Sequence, residues 1–543
     1  MKLLRFILAN SRLLVALSVI SGIITGLGSA ALIAVIHNVL SNDAPSRKAL
    51  ILTYVGLCLL ILLARYVSAV VLIRFSQKVT TDLRIQLSRR ILAAPLRQLE
   101  EIGPPRLLAA LIDDVTMISN AVVNLPVVSI NLAVLAGCLI YLGTLSWAVL
   151  LTVLLFIGLG VISYQIPLKR AQNLLRSARE TQNDLFKNFR GLVEGAKELK
   201  IHNRRSVEFL SDILESSADT LRQQSVDGMT MYAAASSWGQ FLLYIFIGLL
   251  LFVMSTWQSI GNDVLIGCAL IALYMVGSVE IVVNVIPLLG RANIAIRNIE
   301  QLGLSLAERT GELPLEATHS SSPAWQRIDL IEVLYRYRRE GEPTDFVLGP
   351  LKMSLVPGEI VFLTGGNGSG KTTFAKLFTG LYTPDSGEVR LNNVPVTDQN
   401  RALYRQLFSV VFYDFYLFDK VLGVGLDDLD PRANHYLGQL QLDHKVKVNG
   451  GALSTIDLSQ GQRKRLALLT AYLEDRPIYV FDEWAADQDP LFKNTFYHQL
   501  LPELKQRGKT VLVISHDDRY FNVADRTIKL DDGRIDEDGV SLR

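Results

Sequence analysis

No charged residue occurs between Leu13 and Ile36. A helix needs about 20 apolar residues to cross the hydrocarbon of a bilayer, and backbone in hydrocarbon must satisfy its own hydrogen bonds. The run therefore predicts a transmembrane helix, and it is too long for the core of a signal peptide. Further runs follow it. Ala49–Ile73 carries one charge, Arg65, and Val264–Gly290 carries only Glu280. Ala121–Leu168 is charge-free and long enough for two spans, with LGTLSW, Leu142 to Trp147, as the turn between them. Gly228–Asn262 is also charge-free, and its span is expected near Trp238–Met254. The expected count is six.

The connecting segments alternate in charge. Residues 1–12 hold Lys2, Arg5 and Arg12; the stretch 74–120 holds Arg74, Lys78, Arg84, Arg89, Arg90, Arg97 and Arg106; the stretch 169–227 holds eleven basic residues. The other three connections are short, and only 41–48 contains a basic residue. Basic loops stay in the cytoplasm. The N-terminus, both long loops and everything after the sixth span are thus expected on the cytoplasmic side of a cytoplasmic (inner) membrane. The long loops are charged and helix-prone, as in LSRRILAAPLRQLEEI, and predict helices that continue beyond the bilayer.

The organisation expected is a membrane domain over residues 1–308, a linker over 309–326 rich in Ser, Pro and Thr, and a second domain over 327–543. Before Arg327 there are 27 Lys and Arg against 21 Asp and Glu; from Arg327 on there are 27 against 31. The net charge of +2 gives no reason to expect a nucleic-acid partner. Cys58, Cys138 and Cys268 all lie in apolar runs. They read as packing residues, not as disulfides or metal ligands.

GGNGSGKT, Gly365 to Thr372, fits G-x-x-x-x-G-K-[ST]. It follows an apolar strand, EIVFLTG, and opens a helix, which is the context a phosphate-binding loop requires. Its glycines permit the tight turn and leave backbone N–H groups for phosphate oxygens, and the helix N-terminus adds its dipole. Lys371 is placed to reach the outer phosphates and the Thr372 hydroxyl to bind Mg²⁺. RPIYVFDEWAADQDP reads as a buried strand ending in two acids. Asp482 suits the Mg²⁺ shell and Glu483 suits polarising an attacking water. KTVLVISHDDRYF is a second such strand, and His516 falls at its C-terminal end, where parallel α/β sheets place ligands. It could touch the terminal phosphate.

IDLSQGQRKRLALLTAYL, Ile456 to Leu473, places a Ser-x-Gly-Gln turn at a helix start, another backbone-rich anion site; the RKR reads as a solvated helix face. These residues resemble the signature of the ATP-binding-cassette family, with Leu458-Ser459-Gln460-Gly461-Gln462 where the family has L-S-G-G-Q. The phosphate loop, the acid pair, Ala486–Asp489 and His516 follow the same order. Six spans ahead of one cassette resemble an exporter-type half-transporter. The run DEWAADQDP and the short segment between FYDFYLF and the signature resemble the cyclic-peptide and siderophore-peptide exporter branch.

The resemblance implies a fold: an all-α six-helix transmembrane domain fused to an α/β P-loop ATPase domain. It implies ATP and Mg²⁺, with Tyr337 stacking on adenine and Gly365, Gly366, Asn367, Gly368, Ser369, Gly370, Lys371, Thr372 and Thr373 holding the phosphates. Ser459 and Gly461, with Gln462, would meet the γ-phosphate of ATP bound by the opposite subunit. Asp489 would lie in the loop that crosses the dimer interface. Tyr413 stands where the family has a Mg²⁺-contacting Gln, and Gln460 replaces a glycine of the signature.

The expected activity is ATP hydrolysis driving export of a peptide-like cargo by a homodimer in the lipid bilayer. A lipid flippase on the same scaffold is one rival; a membrane-anchored regulatory ATPase that transports nothing is the other. Arg65 and Glu280 each lie 16 residues inside their spans, about 24 Å deep at 1.5 Å per residue. Lone charges at depth usually face a partner or a water-filled cavity. Together with Asn284, one turn beyond Glu280, they are candidates for the substrate cavity.

Overall fold

The computed structural model describes residues 12–40, 47–249, 252, 262–302, 324–337, 346–425 and 427–542. The chain divides into two compact units, Met1–Leu92 with Pro104–Glu308, and Ala93–Gly103 with Arg309–Arg543.

The first unit is a helical transmembrane domain. Its long helices are α1 (Arg12–Leu40), α2 (Arg47–Ala93), α4 (Val115–Leu145), α5 (Trp147–Glu194), α6 (Ser216–Gly248) and α7 (Asn262–Gln301); α3 (Leu96–Ile102) belongs to the second unit. Among the described residues, Ile20–Leu40, Lys48–Ala93, Pro104–Leu145 and Val264–Gln301 are long and apolar enough to cross a membrane, and Trp147–Gly160 is a shorter apolar segment. The span expected near Trp238–Met254 runs from α6 into residues outside the described set, as does most of the expected linker. At 47 and 48 residues, α2 and α5 are each about 70 Å long, more than twice a hydrocarbon core of about 30 Å. The long-loop helices of the sequence are thus continuations of the spans. The expected turn falls at Ser146, whose extended backbone breaks the helix and whose Oγ accepts from the Val149 N–H at 3.4 Å.

Close helix approach in this unit depends on small residues, as it does wherever lipid removes the hydrophobic drive between helices. A Cβ on Gly26 of α1 would sit 2.5 Å from the Ala133 backbone of α4, and one on Gly137 would sit 3.0 Å from Ala30. Between α2 and α4, Ser76, Thr80 and Ser119 form a buried hydroxyl cluster with contacts of 2.7 and 2.9 Å.

The second unit carries the α/β domain. A four-stranded antiparallel sheet has the order β2-β1-β4-β5, from β1 (Ile328–Tyr337), β2 (Phe346–Leu355), β4 (Ser386–Leu391) and β5 (Val394–Pro395). A six-stranded sheet has the order β12-β11-β3-β10-β9-β6, from β3 (Ile360–Thr364), β6 (Phe408–Val411), β9 (Ile478–Asp482), β10 (Thr510–Ile514), β11 (Arg526–Asp531) and β12 (Arg534–Leu542). All its pairings are parallel except that of β12 with β11. β3, β9 and β10 are buried at every residue, which is why each reads as an unbroken apolar run. A small hairpin, β7 (Val448–Asn449) and β8 (Ala452–Leu453), completes the strands. The helices that matter for the site are α8 (Lys371–Phe378), α9 (Gln460–Glu474) and α10 (Pro490–Thr495).

Candidate functional site

The sheet order sets the site. β9, β10 and β3 are neighbours and run parallel. Their C-terminal ends deliver Asp482 and Glu483, then Ser515 and His516, then the loop Gly365–Gly370, to one edge. Open parallel sheets bind ligands at that edge.

The loop needs its glycines. Gly365 has φ +147°, and a Cβ there would lie 2.1 Å from the Leu530 carbonyl oxygen; Gly370 has φ +100° and leads into α8. Lys371 opens α8 and is buried, with Nζ donating to the carbonyls of Gly365 at 3.1 Å and Gly366 at 2.9 Å. Burial lowers its pKa, and the charges of Glu483 and Asp482 oppose that shift. Asn367, Gly366 and Gly368 are exposed along the rim, whereas the Ser369 hydroxyl is buried and has no partner.

Asp482 is fully buried, and no hydrogen bond of ordinary geometry reaches either of its carboxylate oxygens. Burial raises its pKa, and the adjacent Thr372 hydroxyl and Tyr413 backbone offset this only in part. A buried carboxylate with no partner is costly, and a divalent cation beside Thr372 would complete it. Among the described residues no group of three or more His, Cys, Asp and Glu could hold a metal. A hard cation here would take its other oxygens from phosphates and water, as Mg²⁺ usually does. Asp482 and Thr372 fit Mg²⁺.

Glu483 sits in the left-handed region at φ +49°. That conformation turns its side chain toward the loop, with Oε1 3.9 Å from Lys371 Nζ and 3.1 Å from His516 Nε2. The residues expected as catalytic therefore meet. Tyr337 is half-exposed at the end of β1, and Tyr413 is exposed after β6.

Ser459 caps α9, with Oγ accepting from the Gln462 N–H at 3.4 Å and the Gln462 side chain returning a bond to the Ser459 N–H. Ser459 is exposed at the surface of the domain. Gly461 is fixed by crowding, since a Cβ would approach the Asp487 carbonyl oxygen to 2.9 Å. Its own carbonyl accepts from Gln488. Asp489 caps α10 through the Phe492 N–H, which holds its pKa down, and it also pairs with Arg465.

Two groups were not legible as functional. Lys464, read as part of a solvated basic face, is almost fully buried (1% exposed). Its Nζ lies 2.7 Å from Asp487 Oδ2, 3.1 Å from the Glu483 carbonyl oxygen and 4.9 Å from the Tyr413 ring centre. One ammonium thereby joins the signature helix, the backbone of the candidate base and the tyrosine at the family's Gln position. The signal was the helical period, which puts Lys464 on the face of Leu468, Ala471 and Tyr472.

The other group is α3, from the first long basic loop, which packs on the α/β domain. Glu100 pairs with Lys376 at 2.7 Å and accepts from the Tyr382 hydroxyl. Arg97 pairs with Asp385 at 3.4 Å and covers the Tyr335 ring, which stacks on Tyr382 with centres 4.9 Å apart. Burial pushes the Tyr335 pKa up to about 12.

In the first unit, α5, α6 and α7 line a half-open cavity of about 220 Å³, with Glu280 and Asn284 among its exposed lining residues. Arg65 is not among its lining residues, and among the described residues it makes no ion pair with Glu280. Ser68 is buried and the Ala64 carbonyl accepts from Ser21 of α1 at 2.9 Å, so that face of α2 is turned inward. Arg65, one residue further round the helix, is exposed.

Known proteins share this arrangement. Residues 348–486 match the ABC transporter family model and residues 12–279 match the ABC transporter transmembrane region. The ATP-binding protein SyrD of Pseudomonas syringae pv. syringae is 35% identical over 99% of this chain and 96% of its own. An ATP-dependent lipid A-core flippase of Thiobacillus denitrificans is 26% identical over 90% of this chain and 85% of its own. The solved structure of a bacterial Atm1-family ABC exporter with ATP bound superposes with a TM-score of 0.73 at 15% identity, covering 96% of this chain and 93% of that one.

If Glu483 activates water, Glu483→Gln should keep nucleotide binding and lose turnover by about 10²–10⁴-fold, the usual worth of a positioned base. Near-normal hydrolysis by the purified variant would refute the assignment. Lys371→Ala should instead weaken nucleotide binding itself.

If Lys464 positions Glu483, Lys464→Met should lower kcat on the order of 10-fold to 100-fold while leaving KM for ATP close to normal. Lys464→Arg should recover part of the loss. A raised KM with unchanged kcat would show that Lys464 serves nucleotide binding instead.

Proposed function

The chain belongs to the ABC transporter family, with a transmembrane exporter region joined to an ATP-binding domain, and on that premise we propose that it is an ATP-driven exporter acting as a homodimer. Its cargo is peptide-like, a cyclic peptide or siderophore precursor, moved out across the cytoplasmic membrane. The observation that carries the reading is the half-site of the α/β domain. Lys371, Asp482, Glu483 and His516 converge on one phosphate loop, while the exposed turn at Ser459 heads a different helix. One chain supplies one of each. Two ATP sites arise if the phosphate loop of one copy meets the Ser459 turn of the other.

In that assembly the backbone N–H groups of Gly366–Lys371 and the Lys371 ammonium hold the β- and γ-phosphates. Mg²⁺ held by Thr372 and Asp482 would neutralise phosphate charge. Glu483 accepts a proton from the attacking water, and His516 fixes the orientation of its carboxylate at 3.1 Å. Tyr337 offers its ring to the adenine. Ser459 and Gly461, with Gln462 setting the cap, close over the γ-phosphate of the partner copy, and Asp489 lies at the seam. Closure and release of the α/β pair then drive alternating access in the helical domain.

The cargo assignment is supported by resemblance to the cyclic-peptide and siderophore-peptide branch and by the polar groups Glu280 and Asn284 lining a cavity of the helical domain. A lipid flippase is the second reading, favoured by relatives of that name at 25–27% identity. Reconstituted into vesicles with the α/β domain outward, the protein should accumulate a labelled cyclic peptide when Mg-ATP is added, and the Glu483→Gln variant should not. Uptake absent while labelled lipid changes leaflets would select the flippase; ATP turnover with neither movement would select a regulatory ATPase.

A further inference from the structure

The cavity between α5, α6 and α7 has an uneven lining. Phe156 and Ile157 of α5, Phe246 of α6, and Met275 and Val279 of α7 make most of it apolar. Its polar groups are Gln240 of α6 with Glu280 and Asn284 of α7, and Glu280 is the one charged residue among those that line it. The Tyr232 hydroxyl donates to Asn284 Oδ1 at 2.9 Å, which leaves the Asn284 amide NH₂ to face a ligand. Glu280 and Asn284 are four residues apart, so they share a face of α7. Glu280 forms no ion pair among the described residues, and Arg65 lies elsewhere. The carboxylate therefore stands at an apolar chamber, inside a segment apolar enough to cross a membrane, with no cation paired to it among the described residues.

We propose that this chamber is the anchor site for the cargo, and that it takes an amphiphile carrying a protonated amine next to one apolar group. Charge complementarity sets the amine: an ionised acid at membrane depth is tolerated where a partner meets it, and the cargo supplies that partner. The size sets the rest. Sites that enclose a whole drug-sized ligand run from about 300 Å³ upward, whereas this chamber is about 220 Å³. It holds one acyl segment or aromatic side chain of a larger molecule, with the amine at Glu280 and a carbonyl of the cargo against Asn284. The proposal rests on the exporter reading above and names the chemistry of its cargo.

Three variants of the full-length protein in lipid nanodiscs test it, with two probes of equal tail length, dodecylamine and dodecanol. Wild-type ATPase should be stimulated by the amine at concentrations at least tenfold lower than by the alcohol. Glu280→Gln should erase that preference, and Glu280→Asp should restore part of it. Gly160→Leu should weaken both probes, because a Cβ at Gly160 meets no atom within 4 Å and a leucine there fills the chamber. A wild type that does not distinguish the probes overturns the amine, and a preference that survives Glu280→Gln overturns Glu280 as its partner. A Gly160→Leu protein with normal basal and stimulated activity overturns the chamber. In each of these cases continued peptide uptake into vesicles leaves the exporter reading standing, whereas loss of uptake in the wild type rejects that reading itself.

Discussion

A carboxylate with no exposed surface organises the second unit. Asp482 ends β9 with no exposed surface and no hydrogen bond of ordinary geometry to either oxygen. Nothing apolar can relieve that, and a charge in such a place persists only when something binds it. The neighbouring pieces provide for a charged ligand. β3 lies two strands away and brings the phosphate loop, Thr372 sits on α8, and the left-handed turn at Glu483 aims a second carboxylate toward Lys371. A phosphate-bearing cation complex bound there would complete the electrostatics of the site and would link binding to stability.

From that site a short physical path leads to the first long loop. α8 has eight residues. Its first, Lys371, donates to the carbonyls of the glycine loop, and its sixth, Lys376, holds Glu100 of α3 at 2.7 Å. The same carboxylate accepts from Tyr382, which stacks on Tyr335, and Arg97 of α3 lies over that ring. A rigid helix of this length cannot shift at one end without moving the other. On the opposite side, Lys464 ties the Glu483 backbone to Asp487 and sits over Tyr413. Tyrosine at that position thus has a partner in the same chain, a buried ammonium held at cation–π distance.

Much of this was legible in the sequence because it is local. A phosphate loop needs strand, glycines, lysine and helix in one stretch, and the structure has β3, Gly365–Gly370 and α8 there. Uncharged runs fix spans by length, and the break at Ser146 falls inside the predicted Leu142–Trp147 turn. What escaped depends on tertiary contacts. Basic residues at 463–465 look alike in sequence, yet Lys464 is almost fully buried, and burial of its ammonium depends on Asp487 and the Glu483 carbonyl arriving from the segment that follows β9. The docking of α3 needed residues separated by 276 positions, Glu100 and Lys376. Arg65 and Glu280 each lie 16 residues into their apolar runs, but that count carries no information about which way a side chain faces, and α2 leaves Arg65 exposed.

The central claim is that the ATP site is shared between two copies, and cross-linking tests it most directly. Cys58 is exposed while Cys138 and Cys268 are buried, so replacing Cys58 clears the accessible thiols. Asn367→Cys and Ser459→Cys are then introduced together in the Glu483→Gln background, where bound ATP persists. Both positions are exposed in the single chain. With Mg-ATP and a mild oxidant, the account predicts a covalent dimer that is absent without nucleotide. A protein that binds Mg-ATP yet remains monomeric under these conditions would contradict it.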